Sequence, residues 1–142
     1  MAHLLDVNVL IALLDPDHTH SHRVSRWFTE SASQGWATCA ITENAFVRIV
    51  SQSSYPHPVS VDEALTCLRQ ACSAPHHEFW ECDLSITDMD RINPNLLLRS
   101  SQLTDIYLLS LAVKNSGSLV TLDRRISHTP VVGATDSDLI VL

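Results

Sequence analysis

The sequence predicts an α/β fold: one domain over residues 1–142, with a mostly parallel central sheet flanked by helices on both faces. Three observations carry this expectation. Short apolar runs alternate with longer stretches of helical periodicity along the whole chain, the pattern of strands and crossover helices. The runs are apolar at successive positions, as in strands buried on both faces. Only three glycines occur, and no stretch has the composition of an interdomain linker, so nothing divides the chain.

The first run, His3-Leu4-Leu5, reads as a short strand ending at Asp6. Leu10, Ile11, Leu13 and Leu14 suit a short buried helix that stops before Pro16, because proline disfavours helical backbone in the residue ahead of it. A more polar helix follows over residues 18–33, burying Val24, Trp27 and Phe28. Residues 36–39 form a second strand. Thr42 can cap a helix reaching residue 51, with Phe46, Ile49 and Val50 on its apolar side. Ser60-Val61-Asp62-Glu63 has capping-box spacing and opens another helix, with Ala64, Leu65, Leu68 and Ala71 inward. Residues 79–82 are a candidate strand. Thr104 can cap the helix over residues 105–115, whose Ile106, Leu108, Leu109, Leu111, Ala112 and Val113 read as core. Gly117 ends that helix, and a strand over residues 118–122 stops at Asp123. Val131-Val132 and residues 139–141 are the last candidate strands.

Apolar residues make up 45% of the chain and charged residues 18%, which fits a packed core and excludes a disordered protein. No apolar stretch is long enough to cross a bilayer, and the N-terminus has no basic segment ahead of a long apolar one, so the cytoplasm is the expected location. Cys39, Cys67, Cys72 and Cys82 include no C-x-x-C pair and read as reduced thiols. The net charge of −7 argues against a protein that coats nucleic acid with basic surface. A carboxylate-bound metal site overcomes that obstacle, since the metal itself brings positive charge to a phosphate.

Parallel α/β sheets gather ligands at the carboxyl ends of their strands. Asp6 and Asp123 stand at that end of predicted strands, while Glu43 and Asp105 stand in first helical turns. Asp6, Asp105 and Asp123 are set in apolar surroundings, and burying a charge costs several kcal/mol unless it is paired or metal-bound. Individually Glu43 and Asp105 are explained by helix capping, because first-turn acids complement the helix dipole. Four such acids expected on one edge read as a catalytic metal site. Oxygen-only ligands select Mg²⁺ or Mn²⁺ over zinc, and such ions suit phosphodiester hydrolysis. Asn8 and Thr121 could orient the ligands, or serve only as turn and strand residues. Arg124 and Arg125, directly after Asp123, are candidates for phosphate contact and equally for plain solvated charge.

Residues 4–13, Thr42-Glu43-Asn44, residues 103–112 and residues 119–124 together resemble the motifs of PIN-domain proteins, and more narrowly the VapC toxins of bacterial toxin–antitoxin pairs. Their order and spacing match over nearly the whole chain. The resemblance implies a PIN fold, a Mg²⁺- or Mn²⁺-dependent endoribonuclease, a homodimer and a cognate antitoxin partner. It carries the family's acidic positions onto Asp6, Glu43, Asp105 and Asp123, and a small hydroxyl onto Thr121. An antitoxin with a basic tail would suit so acidic a site. Other readings stay open: a PIN-fold RNA-processing nuclease outside a toxin pair, a non-catalytic binding domain of this fold, or a haloacid-dehalogenase-like phosphatase. The last wants a second Asp two residues after the first, where Asn8 stands.

His18, His20 and His22 lack a further evident ligand and read as a solvated helix start; His76-His77-Glu78 reads as loop. Asp88 and Asp90 read as helix-start residues. Trp27, Trp36 and Trp80 read as core anchors rather than base-stacking platforms.

Overall fold

A computed structural model describes residues 1–97 and 99–142. Five strands, β1 (His3–Leu5), β2 (Trp36–Cys39), β3 (His77–Trp80), β4 (Ser118–Thr121) and β5 (Leu139–Val141), form one sheet in the order β3-β2-β1-β4-β5. Every neighbouring pair is parallel. Parallel neighbours require crossover connections. Five helices lie along the chain between the strands: α1 (Val7–Leu14), α2 (Ser21–Ser31), α3 (Ala40–Val50), α4 (Val61–Cys72) and α5 (Leu103–Lys114). The chain builds outward from β1 to β3, then returns to place β4 and β5 on the other side of β1. That reversal leaves a crevice at the carboxyl ends of β1 and β4, where folds of this kind bind ligands.

Side chains of successive strand residues point to opposite faces, and the two cores follow that alternation. Leu4, Ala37, Cys39 and Leu119 pack with Ile106, Leu108, Leu109 and Leu111 of α5. Leu5, Trp36 and Val120 pack on the other face with Val9, Leu10, Val24, Phe46, Ala64 and Leu68 of α1 to α4. So α5 covers one face and the other four helices cover the opposite one. No helix among the described residues is long and apolar enough to cross a membrane.

Several element boundaries differ from the sequence expectation, each for a local reason. Helix α1 begins at Val7, directly after Asp6, whose carboxylate accepts the Val7 N–H. Thr42 is not a cap: α3 begins at Ala40, and the Thr42 hydroxyl instead accepts the Cys39 N–H at 3.0 Å, the reciprocal half of a capping box. Thr104 likewise lies inside α5, which a short 3₁₀ turn over Ser100–Gln102 leads into. Strand β3 opens at His77, two residues early, because its register on β2 starts at the Trp36–His77 pair. Val131 makes only an isolated antiparallel bridge with Ile92. After α5 the left-handed position is taken by Ser116 (φ 55°), not Gly117. Gly117 is required for another reason: a Cβ there would lie 2.4 Å from the Ala2 carbonyl oxygen and 2.7 Å from the Trp80 ring. All four cysteines are free thiols, with Cys39 buried.

Candidate active site

The β1–β4 register pairs Leu5 with Val120, and the Asp6 N–H continues it by donating to the Val120 carbonyl at 2.9 Å. Asp6 and Thr121 therefore stand side by side at the sheet's carboxyl edge, both buried. Asn8 fixes the direction of every hydrogen bond here. Its Oδ1 accepts the Leu122 N–H at 3.1 Å, which leaves its Nδ2 to donate to Thr121 Oγ1 at 3.3 Å. Thr121 Oγ1 also accepts the Asp123 N–H at 3.0 Å. A hydroxyl has one proton, and with both acceptor positions filled that proton goes to Asp6 Oδ2, 2.8 Å away. Asp6 Oδ1 accepts the Val7 N–H at 2.7 Å. Asn8 and Thr121 thus lock the Asp6 carboxylate and tie it to the backbone of Asp123.

Asp105, in the first turn of α5, and Asp123, just beyond β4, line one wall-to-wall cleft of about 80 Å³ with Arg99, Gln102, Arg125 and Ser127. The electrostatics report that the three aspartates share a neighbourhood. Burial, then the charges of Asp6 and Asp123, push the Asp105 carboxyl up to about 6, against an opposing pull from Arg125. Burial also pushes Asp6 upward, offset by the Thr121 and Val7 hydrogen bonds and reinforced by the Asp123 charge. Asp123 goes the other way: hydrogen bonds from the Arg125 side chain and backbone hold it below the usual carboxylate range. The Arg125 guanidinium grips it with two bonds, Nε to Oδ1 and the terminal nitrogen to Oδ2, both at 3.0 Å.

Glu43 stands in the first turn of α3, which opens directly after the carboxyl end of β2, the strand beside β1. Its Oε2 accepts the Thr38 hydroxyl at 2.6 Å, and its charge acts on Cys72 and His77. Thr38 alternates with Ala37 and Cys39 along β2, so it faces the α1–α4 side, whereas Asp105 belongs to α5 on the opposite face. His77, expected in a loop, opens β3 instead. Arg124 is exposed beside the site. Arg125 is engaged with Asp123 rather than free for phosphate. A sequence signal for that contact exists, because an Asp accepting the N–H two residues on is a familiar turn, and Arg125 N donates to Asp123 Oδ1 at 2.9 Å. Arg99 and Gln102 in the cleft wall, and Thr38 and His77 beside Glu43, had no such local signal.

Asp6 and Asp123, oriented by hydrogen bonds, and Asp105 beside them make an oxygen-only donor set, two of its members raised by burial and like charge, that fits a hard divalent cation. No protein-family model matches the chain. Curated relatives do. Ribonuclease VapC44 of Mycobacterium tuberculosis is 49% identical over 142 residues, covering all of both chains. Ribonuclease VapC39 of the same organism is 37% identical over 138 residues, covering 96% of this chain and 99% of its own. Among solved structures, VapBC2 from Rickettsia felis, bound to a DNA fragment from its promoter, aligns with a TM-score of 0.63 at 16% identity, covering 100% of this chain and 98% of the matched one. The M. tuberculosis toxin VapC20, which cleaves the sarcin-ricin loop, gives a TM-score of 0.63 at 9% identity over 93% of this chain and 98% of its own. A parallel sheet with its acids at the crevice, the fold shared with those toxins and full-length identity to VapC ribonucleases lead to one conclusion: the chain belongs to the VapC family of PIN-domain ribonucleases.

Proposed function

We propose that this protein is the toxin of a toxin–antitoxin pair, an endoribonuclease whose Mg²⁺ or Mn²⁺ is held by the acids Asp6, Glu43, Asp105 and Asp123. The observation that carries the reading is the grouping of Asp105 with Asp6 and Asp123, where burial and then the charges of the other two raise its carboxyl to about 6, a site that calls for a cation. Such an ion, held by these acids, would polarise an attacking water and offset the charge of the phosphodiester. The chain's own residues do the positioning. Thr121 and Asn8 fix Asp6, the Thr121-bound backbone fixes Asp123, and the first turn of α5 presents Asp105. Arg124 and, when released from Asp123, Arg125 stand where RNA phosphates would be drawn in despite the net charge of −7. Support for RNA as substrate comes from the relatives named ribonuclease. Support for an antitoxin comes from the VapBC2 pair. We infer that the partner's tail is basic, because one guanidinium can present a planar fork to two of these carboxylates and so block the ion. Homodimerisation and a cytoplasmic location, which suits four free thiols, complete the proposal.

Purified protein should cleave RNA with Mn²⁺ or Mg²⁺ and stop in excess chelator, and Asp6→Asn or Asp123→Asn should abolish cleavage in a folded protein. Attack by water leaves a 5′-phosphate and a 3′-hydroxyl. Cleavage that survives chelation, or a 2′,3′-cyclic phosphate product, would overturn the mechanism.

A further inference from the structure

On the reading that Glu43 is one of the acids holding the metal, we propose that Thr38 and His77 are its positioning residues, acting through one chain of hydrogen bonds. The groups fix the direction of each bond. Thr38 Oγ1 lies 2.6 Å from Glu43 Oε2 and 2.8 Å from His77 Nε2. A carboxylate can only accept, so the one proton of the Thr38 hydroxyl goes to Glu43. The hydroxyl oxygen then accepts from His77, which places a ring proton on Nε2. Bonds linked in this way polarise one another, and 2.6 Å is the short length expected when the acceptor is ionised.

The far end of the chain is anchored. Thr38 is fully buried in β2. His77 opens β3 opposite Trp36, and its ring packs edge-on to the buried indole with centroids 4.5 Å apart. Just ahead of it the backbone turns through His76, held in the left-handed region at φ 68°, whose carbonyl accepts the Trp36 N–H at 3.0 Å. The ring and the hydroxyl cannot turn away without losing this packing. Glu43 is different: it is only half-buried, on a long and flexible side chain. Ordering such a side chain costs entropy, and a carboxylate already held in place loses less of it when an ion binds.

Asp6 is held by the same device. There the hydroxyl of Thr121, also fully buried, donates to Asp6 Oδ2 at 2.8 Å and accepts from the Asn8 amide at 3.3 Å. At Glu43 the threonine comes from β2 instead of β4, and a ring N–H takes the place of the amide. In each case a strand threonine directs its only proton at one carboxylate oxygen and is itself oriented by a donor from a neighbouring element. Hydrogen bonds that orient a ligating group are typically worth about 10–100-fold in metal affinity.

Mn²⁺ binding to the full-length protein is measured by calorimetry, and cleavage of total cellular RNA is followed across Mn²⁺ concentrations. Thr38→Val should weaken Mn²⁺ binding about tenfold and raise the Mn²⁺ needed for half-maximal cleavage to match, and Thr38→Ser should restore both. His77→Phe keeps a ring against Trp36 but has no donor, and should weaken binding several-fold; His77→Gln keeps a donor and should recover most of the loss. In a Glu43→Gln background Thr38→Val should change the affinity by less than about twofold, because its effect passes through that carboxylate. Circular dichroism checks each fold, and the His77 pair decides if Thr38→Val does not fold. Full-strength binding in folded Thr38→Val or His77→Phe, beside weakened binding in Glu43→Gln, would overturn the proposal and leave the four-acid site standing. An undiminished effect of Thr38→Val in the Glu43→Gln background would mean a structural role only, and would overturn it as well. Wild-type affinity in Glu43→Gln, or no Mn²⁺ binding by the wild type, would take the reading of Glu43 as a metal-holding acid down together with the proposal.

Discussion

Replacing Asp105 with Asn in metal-free protein removes a charge that the fold disfavours, so the variant should be more stable than the wild type near neutral pH. A carboxyl raised from 3.8 to about 6 corresponds to about 3 kcal/mol before screening. Asp105 is only half-buried, and solvent screening reduces this to about 1–2 kcal/mol. Loss of a first-turn acid at the α5 dipole returns about 0.5 kcal/mol, leaving a net gain of roughly 1 kcal/mol, or a few degrees in Tm. The sign follows from linkage. The folded wild type holds its Asp105 proton up to about 6, while the unfolded chain releases it near 3.8, so the wild type loses stability as pH rises between those values. Below pH 3.8 both states are protonated, and the Asn variant has no advantage. The assay is thermal denaturation in chelator at pH 3.5 and pH 7.5. A gain equal at both pH values, or none at pH 7.5, would refute the account of a carboxylate disfavoured by burial and its like-charged neighbours. With saturating Mn²⁺ the order should invert, because only a chain that binds the ion is stabilised by it, by about 2.7 kcal/mol at 100 times Kd.

Thr121→Val leaves Asp6 without one hydrogen bond and the Asn8 amide and Asp123 N–H without an acceptor, so it should cost about 1–3 kcal/mol in urea denaturation and weaken Mn²⁺ binding. Thr121→Ser should restore most of both, and a Val variant as stable as the wild type would dissolve the role given to this hydroxyl. Arg125→Ala frees the Asp123 carboxylate and should tighten Mn²⁺ binding several-fold by calorimetry, while Arg124→Ala should leave Mn²⁺ binding alone and lower the salt slope of RNA binding by about one. Unchanged Mn²⁺ affinity in Arg125→Ala would mean that the ion never competes with the guanidinium. Glu43→Gln should abolish RNA cleavage while leaving the protein folded by circular dichroism, because it removes one of the four proposed acids and keeps the shape of the side chain that meets Thr38. Wild-type cleavage by this variant would remove Glu43 from the site.

What the residues alone determined is whatever rests on local pattern. Apolar runs such as His3–Leu5 and Ser118–Thr121 must be buried on both faces, which yields a parallel sheet, and the acid that ends each run lies at the ligand-binding edge. Asp6 and Asp123 were legible for that reason, and Asp105 from its place in the first turn of an apolar helix. Tertiary structure decided everything that depends on which face a side chain takes. Glu43 was read as sharing the edge because it stands in a first helical turn, and which groups its side chain meets there depends on the packing. Its side chain bonds Thr38, whose face is set by the strict alternation along β2 and by the packing of α3 and α4 over that face. The same packing brought Cys72 and His77 to Glu43, although neither is near it in sequence, and no periodicity could have joined them. Gly117 makes the point in miniature. The sequence places a glycine after a helix, where a left-handed turn is expected, yet Ser116 takes that turn. Only the close approach of Ala2 and Trp80 explains why no side chain fits at Gly117.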